Sequence, residues 1–109
     1  MSRRALAETI ARAQLLGHVG PGEIDKYIEH GLAHLEAADP AENSRWCDLG
    51  SGGGLPGLVV AHERPDLEIS LLDRSLSRVQ FLEQAVANIG ATRRVTVLNG
   101  DATDLAHDP

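Results

Sequence analysis

Residues 48–57 read Asp48-Leu49-Gly50-Ser51-Gly52-Gly53-Gly54-Leu55-Pro56-Gly57, and Leu71-Leu72-Asp73 follows after room for one helix and one strand. A run of this kind compresses a strand end, a glycine loop and a helix start into ten residues. Glycines permit positive φ and remove the Cβ atoms that would hold a ligand off the backbone, while the first N–H groups of the following helix point outward. Asp73, nineteen residues after Gly54, is spaced to accept two hydrogen bonds from a ribose. The spacing predicts a βαβ unit whose loop holds a nucleotide-like cofactor.

Two cofactor classes compete for the loop. Gly52-x-Gly54-x-x-Gly57 satisfies the dinucleotide fingerprint, which has little specificity alone. Asp48 points elsewhere, because a carboxylate at the end of the first strand would repel a pyrophosphate held by the adjoining loop. It suits a ligand with a cationic end, such as S-adenosylmethionine, which carries an ammonium and a sulfonium and no phosphate. Asp48 then meets the amino group directly or through water, or it ties down the loop's own N–H groups. A glycine turn that only packs a helix on a strand is the structural alternative.

With 109 residues the chain forms one domain at most, and with 42% hydrophobic but only 3% aromatic residues its core must be aliphatic. A net charge of −6 argues against a chain built chiefly to hold nucleic acid. Cys47 is the only cysteine, so no intrachain disulfide forms, in agreement with a reducing, cytoplasmic setting. The longest uncharged run, Leu49 to His62, is glycine-rich and shorter than the roughly 20 residues a membrane-spanning helix needs.

The hydrophobic pattern divides the chain into an N-terminal helical segment, 1–38, and a partial cofactor-binding domain, 45–109. Leu6, Ile10 and Ala13 mark a helix over 3–16 that stops at Gly17; Ile24, Ile28, Leu32 and Leu35 mark a second over 23–37. A polar linker around Pro40 follows. Strands are expected at 45–49, 68–72 and 94–98, with helices at 55–63 and from the capping Ser75 to Gly90. The order is α-α-β-α-β-α-β.

The Asp48 to Gly57 run, with Leu71-Leu72-Asp73-Arg74-Ser75 and Arg78-Val79-Gln80-Phe81-Leu82, resembles the bacterial glucose-inhibited division protein B family, guanine-N7 methyltransferases of small-subunit ribosomal RNA. The Leu-Pro-Gly extension of the glycine loop is its specific element. Gly20 to His30 resembles an actinobacterial variant, and the likeness covers about residues 18–105. It implies the N-terminal half of a Rossmann-like class I methyltransferase fold, three parallel strands with flanking helices preceded by two helices. It also implies a full strand order of 3-2-1-4-5-7-6, in which the first strand pairs with a fourth. On that basis the chain is expected to be a fragment, inactive alone, whose catalytic residues lie beyond Pro109 and whose open sheet edge invites self-association.

The resemblance implies cofactor contacts from Asp48, Gly50, Ser51, Gly52, Gly54, Asp73 and Arg74, with Asp101-Ala102 at the adenine. Asp73 and Asn99-Gly100-Asp101 also read as an ordinary capping carboxylate and an ordinary turn. Arg74, Arg78, Arg93 and Arg94 face RNA phosphates or form a solvated charged face. Cys47 is expected to be buried as a small hydrophobe and Trp46 to pack against the first two helices. His30 and His34 lack further ligands at metal spacing, so no metal is expected. Guanine N7 has a free lone pair, so the absence of a Ser/His/Asp set does not argue against an enzyme. Three functions remain: ribosomal RNA methyltransferase or small-molecule N- or O-methyltransferase, NAD(P)-binding oxidoreductase fragment, and noncatalytic interaction module.

Overall fold

The computed structural model describes residues 3–49 and 56–100. Among these residues the elements run α1 (Arg4–Leu15), α2 (Ile24–Ala38), β1 (Arg45–Leu49), α3 (Gly57–Glu63), β2 (Glu68–Asp73), α4 (Leu76–Asn88) and β3 (Val95–Asn99). The order is the one expected, with ends shifted by one or two residues.

Local chemistry sets the helix ends. In α1 the chain reverses at Gly17, φ +77°, with Gly17 N–H donating to Gln14 and His18 N–H to Ala13. The same pair of bonds closes α4: Gly90, φ +73°, donates to Ala87, and Ala91 to Val86. Both are Schellman stops, which need a residue tolerant of left-handed backbone. At the start of α4 the Ser75 hydroxyl accepts from the Arg78 N–H at 3.3 Å, as a serine N-cap should.

The three strands are parallel in the order β1-β2-β3, as consecutive βαβ crossovers dictate. Trp46 pairs with Ile69 and Ile69 with Val95; Asp48 pairs with Leu71 and Leu71 with Val97. Strand side chains alternate, so these positions share one face. On that face Ile69, Leu71 and Val95 join Leu58, Val59 and Val60 of α3 and Leu82, Ala85 and Val86 of α4 in one buried cluster. Leu6, Ile10 and Ala13 of α1 and Ile28 of α2 belong to the same cluster, and Trp46 packs against it.

Cys47 corrects the sequence expectation: its side chain is exposed. Register explains this, since Cys47, Ser70 and Thr96 line the opposite face, away from the helices. Partial burial, and then the negative charge of Asp48, push its thiol above the ordinary value, which disfavours the reactive thiolate. Among the described residues no helix is long and apolar enough to cross a membrane.

The helical layer is pinned by a close approach and an ionic clasp. Arg3 pairs with Glu63, and the His62 imidazole lies 2.7 Å from the same carboxylate, joining the start of α1 to the end of α3. At Gly31 of α2 an added Cβ would lie 2.6–2.8 Å from the Val59 side chain of α3, a contact that a fully buried β-branched residue cannot relieve. Gly31→Ala is therefore expected to lower unfolding stability in urea by about 1–3 kcal/mol through overpacking, despite alanine's advantage of about 1 kcal/mol in a helix interior. Gly20→Ala, whose Cβ meets only the Tyr27 hydroxyl at 3.6 Å, should stay within about 0.5 kcal/mol of the parent.

Candidate functional site

Parallel strands bring their C-terminal ends and the N-termini of the following helices to one edge, where open α/β sheets bind ligands. Here β1 ends beside Asp48, β2 on Asp73 and β3 on Asn99. By register and alternation Asp48 and Asp73 lie on the helix-bearing face.

Asp48 Oδ2 accepts a hydrogen bond from the Gly57 N–H at 3.0 Å. Gly57 opens α3, and a Cβ there would clash with Leu71 Cδ2 and sit 2.7 Å from Asp48 Oδ2. Only glycine lets the helix come down so closely onto the strands. Pro56, as the N-cap, accepts from the Val60 N–H at 3.0 Å and has no N–H of its own to leave unpaired. The carboxylate thus fills the place at the start of α3 where an anionic ligand would dock.

Asp73 is 1% exposed. Its Oδ1 accepts from the Ser75 N–H at 2.8 Å, and Arg78 Nε lies 3.1 Å from both carboxylate oxygens. The backbone of the same turn is held from β3: Asn99 Nδ2 reaches the carbonyls of Asp73 and Arg74 at 3.2 Å, and the Gly100 N–H donates to Asp73 at 3.0 Å. Asp73 therefore does form the capping turn of its structural reading, and its burial means that a ligand reaches it only by displacing what covers it.

Of the residues expected to hold the cofactor, Asp48, Asp73 and Arg74 are thus found at this edge, with the Arg74 side chain exposed. Gly50, Ser51, Gly52, Gly54, Asp101 and Ala102 lie outside the described residues. The four arginines do not form one patch. Arg78 is taken up by Asp73, whereas Arg93 and Arg94 precede β3 at the far end of the sheet, and Arg94 Nη1 donates to the Arg64 carbonyl at 3.3 Å. An open groove of about 1070 Å3 runs between α1 and α4, lined among others by Glu8, Arg12, His18, Phe81 and Gln84. It does not include the strand-end carboxylates. The His30 and His34 rings meet edge to face, 4.9 Å apart, and among the described residues no three acidic, histidine or cysteine side chains converge as metal ligands.

The family model for rRNA small subunit methyltransferase G, GidB, matches residues 4–109. The chain belongs to this family. A ribosomal RNA small subunit methyltransferase G of Acidothermus cellulolyticus is 42% identical over 92 residues, covering 83% of this chain and 41% of that protein. The counterpart in Mycolicibacterium smegmatis is 39% identical over 92 residues, covering 81% of this chain and 37% of its own. The chain thus spans about two-fifths of the length of the curated relatives it matches. Among solved structures, a protein described as a predicted O-methyltransferase from Agrobacterium tumefaciens aligns with a TM-score of 0.51 at 30% identity, covering 59% of this chain and 32% of that one. The Escherichia coli protein YjhP aligns with a TM-score of 0.58 at 22% identity over 93% of this chain and 38% of its own. The fold is the N-terminal part of a Rossmann-like class I methyltransferase fold.

Two GidB-like sequence features acquire physical causes. The Leu-Pro-Gly extension ends on the residue that lets α3 touch Asp48 and Leu71. Arg78, read from sequence as a phosphate contact or a solvated charge, is instead bound to a buried carboxylate. A signal was present: a cation in the first turn of a helix opposes the helix dipole unless an anion sits beside it.

Asp48→Ala should destabilise the chain in urea by about 1–3 kcal/mol, the cost of stranding the buried Gly57 N–H. Asp48→Asn keeps an accepting oxygen and should recover more than half of that loss. Equal loss in both variants would show that charge, rather than the bond to α3, is what the fold requires at Asp48.

Proposed function

We propose that this chain is the cofactor-binding part of an S-adenosylmethionine-dependent methyltransferase of small-subunit ribosomal RNA, with guanine N7 as the acceptor. The observation that carries the reading is the bond from Gly57 N–H to Asp48 Oδ2. A dinucleotide's pyrophosphate held by this loop would face the Asp48 carboxylate at close range, whereas a ligand with a cationic end is attracted to it. The family to which the chain belongs, rRNA small subunit methyltransferase G, supports the choice of acceptor class. An oxidoreductase or a noncatalytic module has no comparable support.

In this reading Asp73 accepts from the ribose hydroxyls, and Asp48 faces the methionine amino end. Gly50, Ser51, Gly52 and Gly54 allow close backbone approach, Arg74 borders the site, and Asp101-Ala102 receive the adenine. S-adenosylmethionine supplies a methyl group already activated on a sulfonium. Because N7 offers its lone pair without deprotonation, the protein has no proton to remove and acts by binding and alignment, worth up to about 7–11 kcal/mol of the barrier. In the same reading residues 1–38 are an N-terminal helical segment and 45–109 a partial cofactor-binding domain, and turnover on RNA, in the cytoplasm, calls for the further length that the relatives have. β1 pairs only with β2 among the described residues, so its other edge is proposed to mediate self-association.

Calorimetry should detect S-adenosylhomocysteine and not NADH, and Asp73→Ala should weaken the former about ten- to hundredfold, as loss of charge-assisted bonds of about 1.5–3 kcal/mol requires. NADH binding in preference would overturn the reading. In sedimentation at micromolar concentration the chain should run as a dimer or larger; a strict monomer would refute the edge proposal.

A further inference from the structure

We propose that Arg78 is a positioning residue for the ribose-binding carboxylate, a role that rests on the methyl-donor reading above. A ribose offers two adjacent hydroxyls, and an acid receives both only if its carboxylate plane is held in one orientation. Asp73 by itself has a free torsion about its last bond.

Three contacts remove that freedom. Arg78 Nε lies 3.1 Å from each oxygen, so one N–H sits between the two and defines the plane; the Ser75 N–H, 2.8 Å from Oδ1, selects which oxygen faces the turn. Among the described residues Oδ2 has no donor other than Arg78, which leaves it with accepting capacity for a ligand. Asp73 is 1% exposed, and a polar group so buried is costly without a hydrogen-bond partner.

The pairing also explains why an arginine occupies the first turn of α4. Arg78 is the third residue of that helix, where a cation is unfavourable; the adjacent carboxylate reverses the local sign. A lysine would keep the charge without the fixed, planar N–H that lies between the oxygens. Arg78 is 38% exposed against 1% for Asp73, so the charge that holds the buried carboxylate is itself partly solvated.

The test separates orientation from general stability. Calorimetry on the full chain compares S-adenosylhomocysteine with its 2′-deoxyribose analogue, which lacks one of the hydroxyls. The parent should favour the ribose compound about tenfold, the worth of one charge-assisted bond. Arg78→Lys should lose most of that preference through weaker ribose binding, with the deoxy compound held within about twofold. Equal weakening of both ligands, or an unchanged preference, would overturn the positioning role while leaving the cofactor reading intact. No binding of S-adenosylhomocysteine by the parent would overturn both. Because a lone removal of Arg78 strands a buried charge, the double variant Asp73→Asn with Arg78→Met serves as a second check. It should keep the parent's circular dichroism and bind both ligands equally weakly; retained preference for the ribose would contradict the proposal.

Discussion

The contact between Asp48 and the first residue of α3 is the constraint on which the rest of this structure depends. A carboxylate at the end of β1 meets the Gly57 N–H, and the missing side chain of Gly57 lets α3 lie directly on Asp48 and Leu71. That seating brings Leu58, Val59 and Val60 into the core and sets Val59 against Gly31 of α2. The helical layer is thereby registered on the sheet from the same point that shapes the binding edge. The bond that seats the helix also leaves a negative charge at the end of β1.

Much of the fold was legible because its signals are local. Glycine stops after α1 and α4, the Ser75 cap and the periodicity of the helices each depend on residues within one or two turns. The sheet order followed from consecutive crossovers. What escaped depends on which face of a strand finds a partner. Cys47 was read as buried because cysteine usually is, yet its register with Ser70 and Thr96 assigns it to the face away from the helices. Arg78 escaped for a related reason. Its partner is five residues back, across a turn, and charge alone does not distinguish a solvated arginine from one neutralising a buried acid.

For the site, spacing points to Asp73 and charge at a strand end to Asp48, and both lie at the strand ends with hydrogen bonds to the backbone of the turn or helix that follows. The structural and ligand-binding readings of these residues are not exclusive. Asp73 caps its turn through Oδ1 and retains capacity on Oδ2, and Asn99 with Gly100 ties that turn to β3. Of the four arginines weighed as RNA contacts, Arg74 and Arg78 follow β2 at the site's edge, and Arg93 and Arg94 precede β3 at the other end of the sheet.

Amide chemical-shift mapping of the isotope-labelled chain during titration with S-adenosylhomocysteine tests the central claim most directly. The claim predicts shifts concentrated at Gly57, Asp73, Arg74, Ser75 and Gly100, at the C-terminal ends of the strands and the starts of α3 and α4. Shifts confined to the groove between α1 and α4, or a saturating titration that leaves these five amides unmoved, would contradict it.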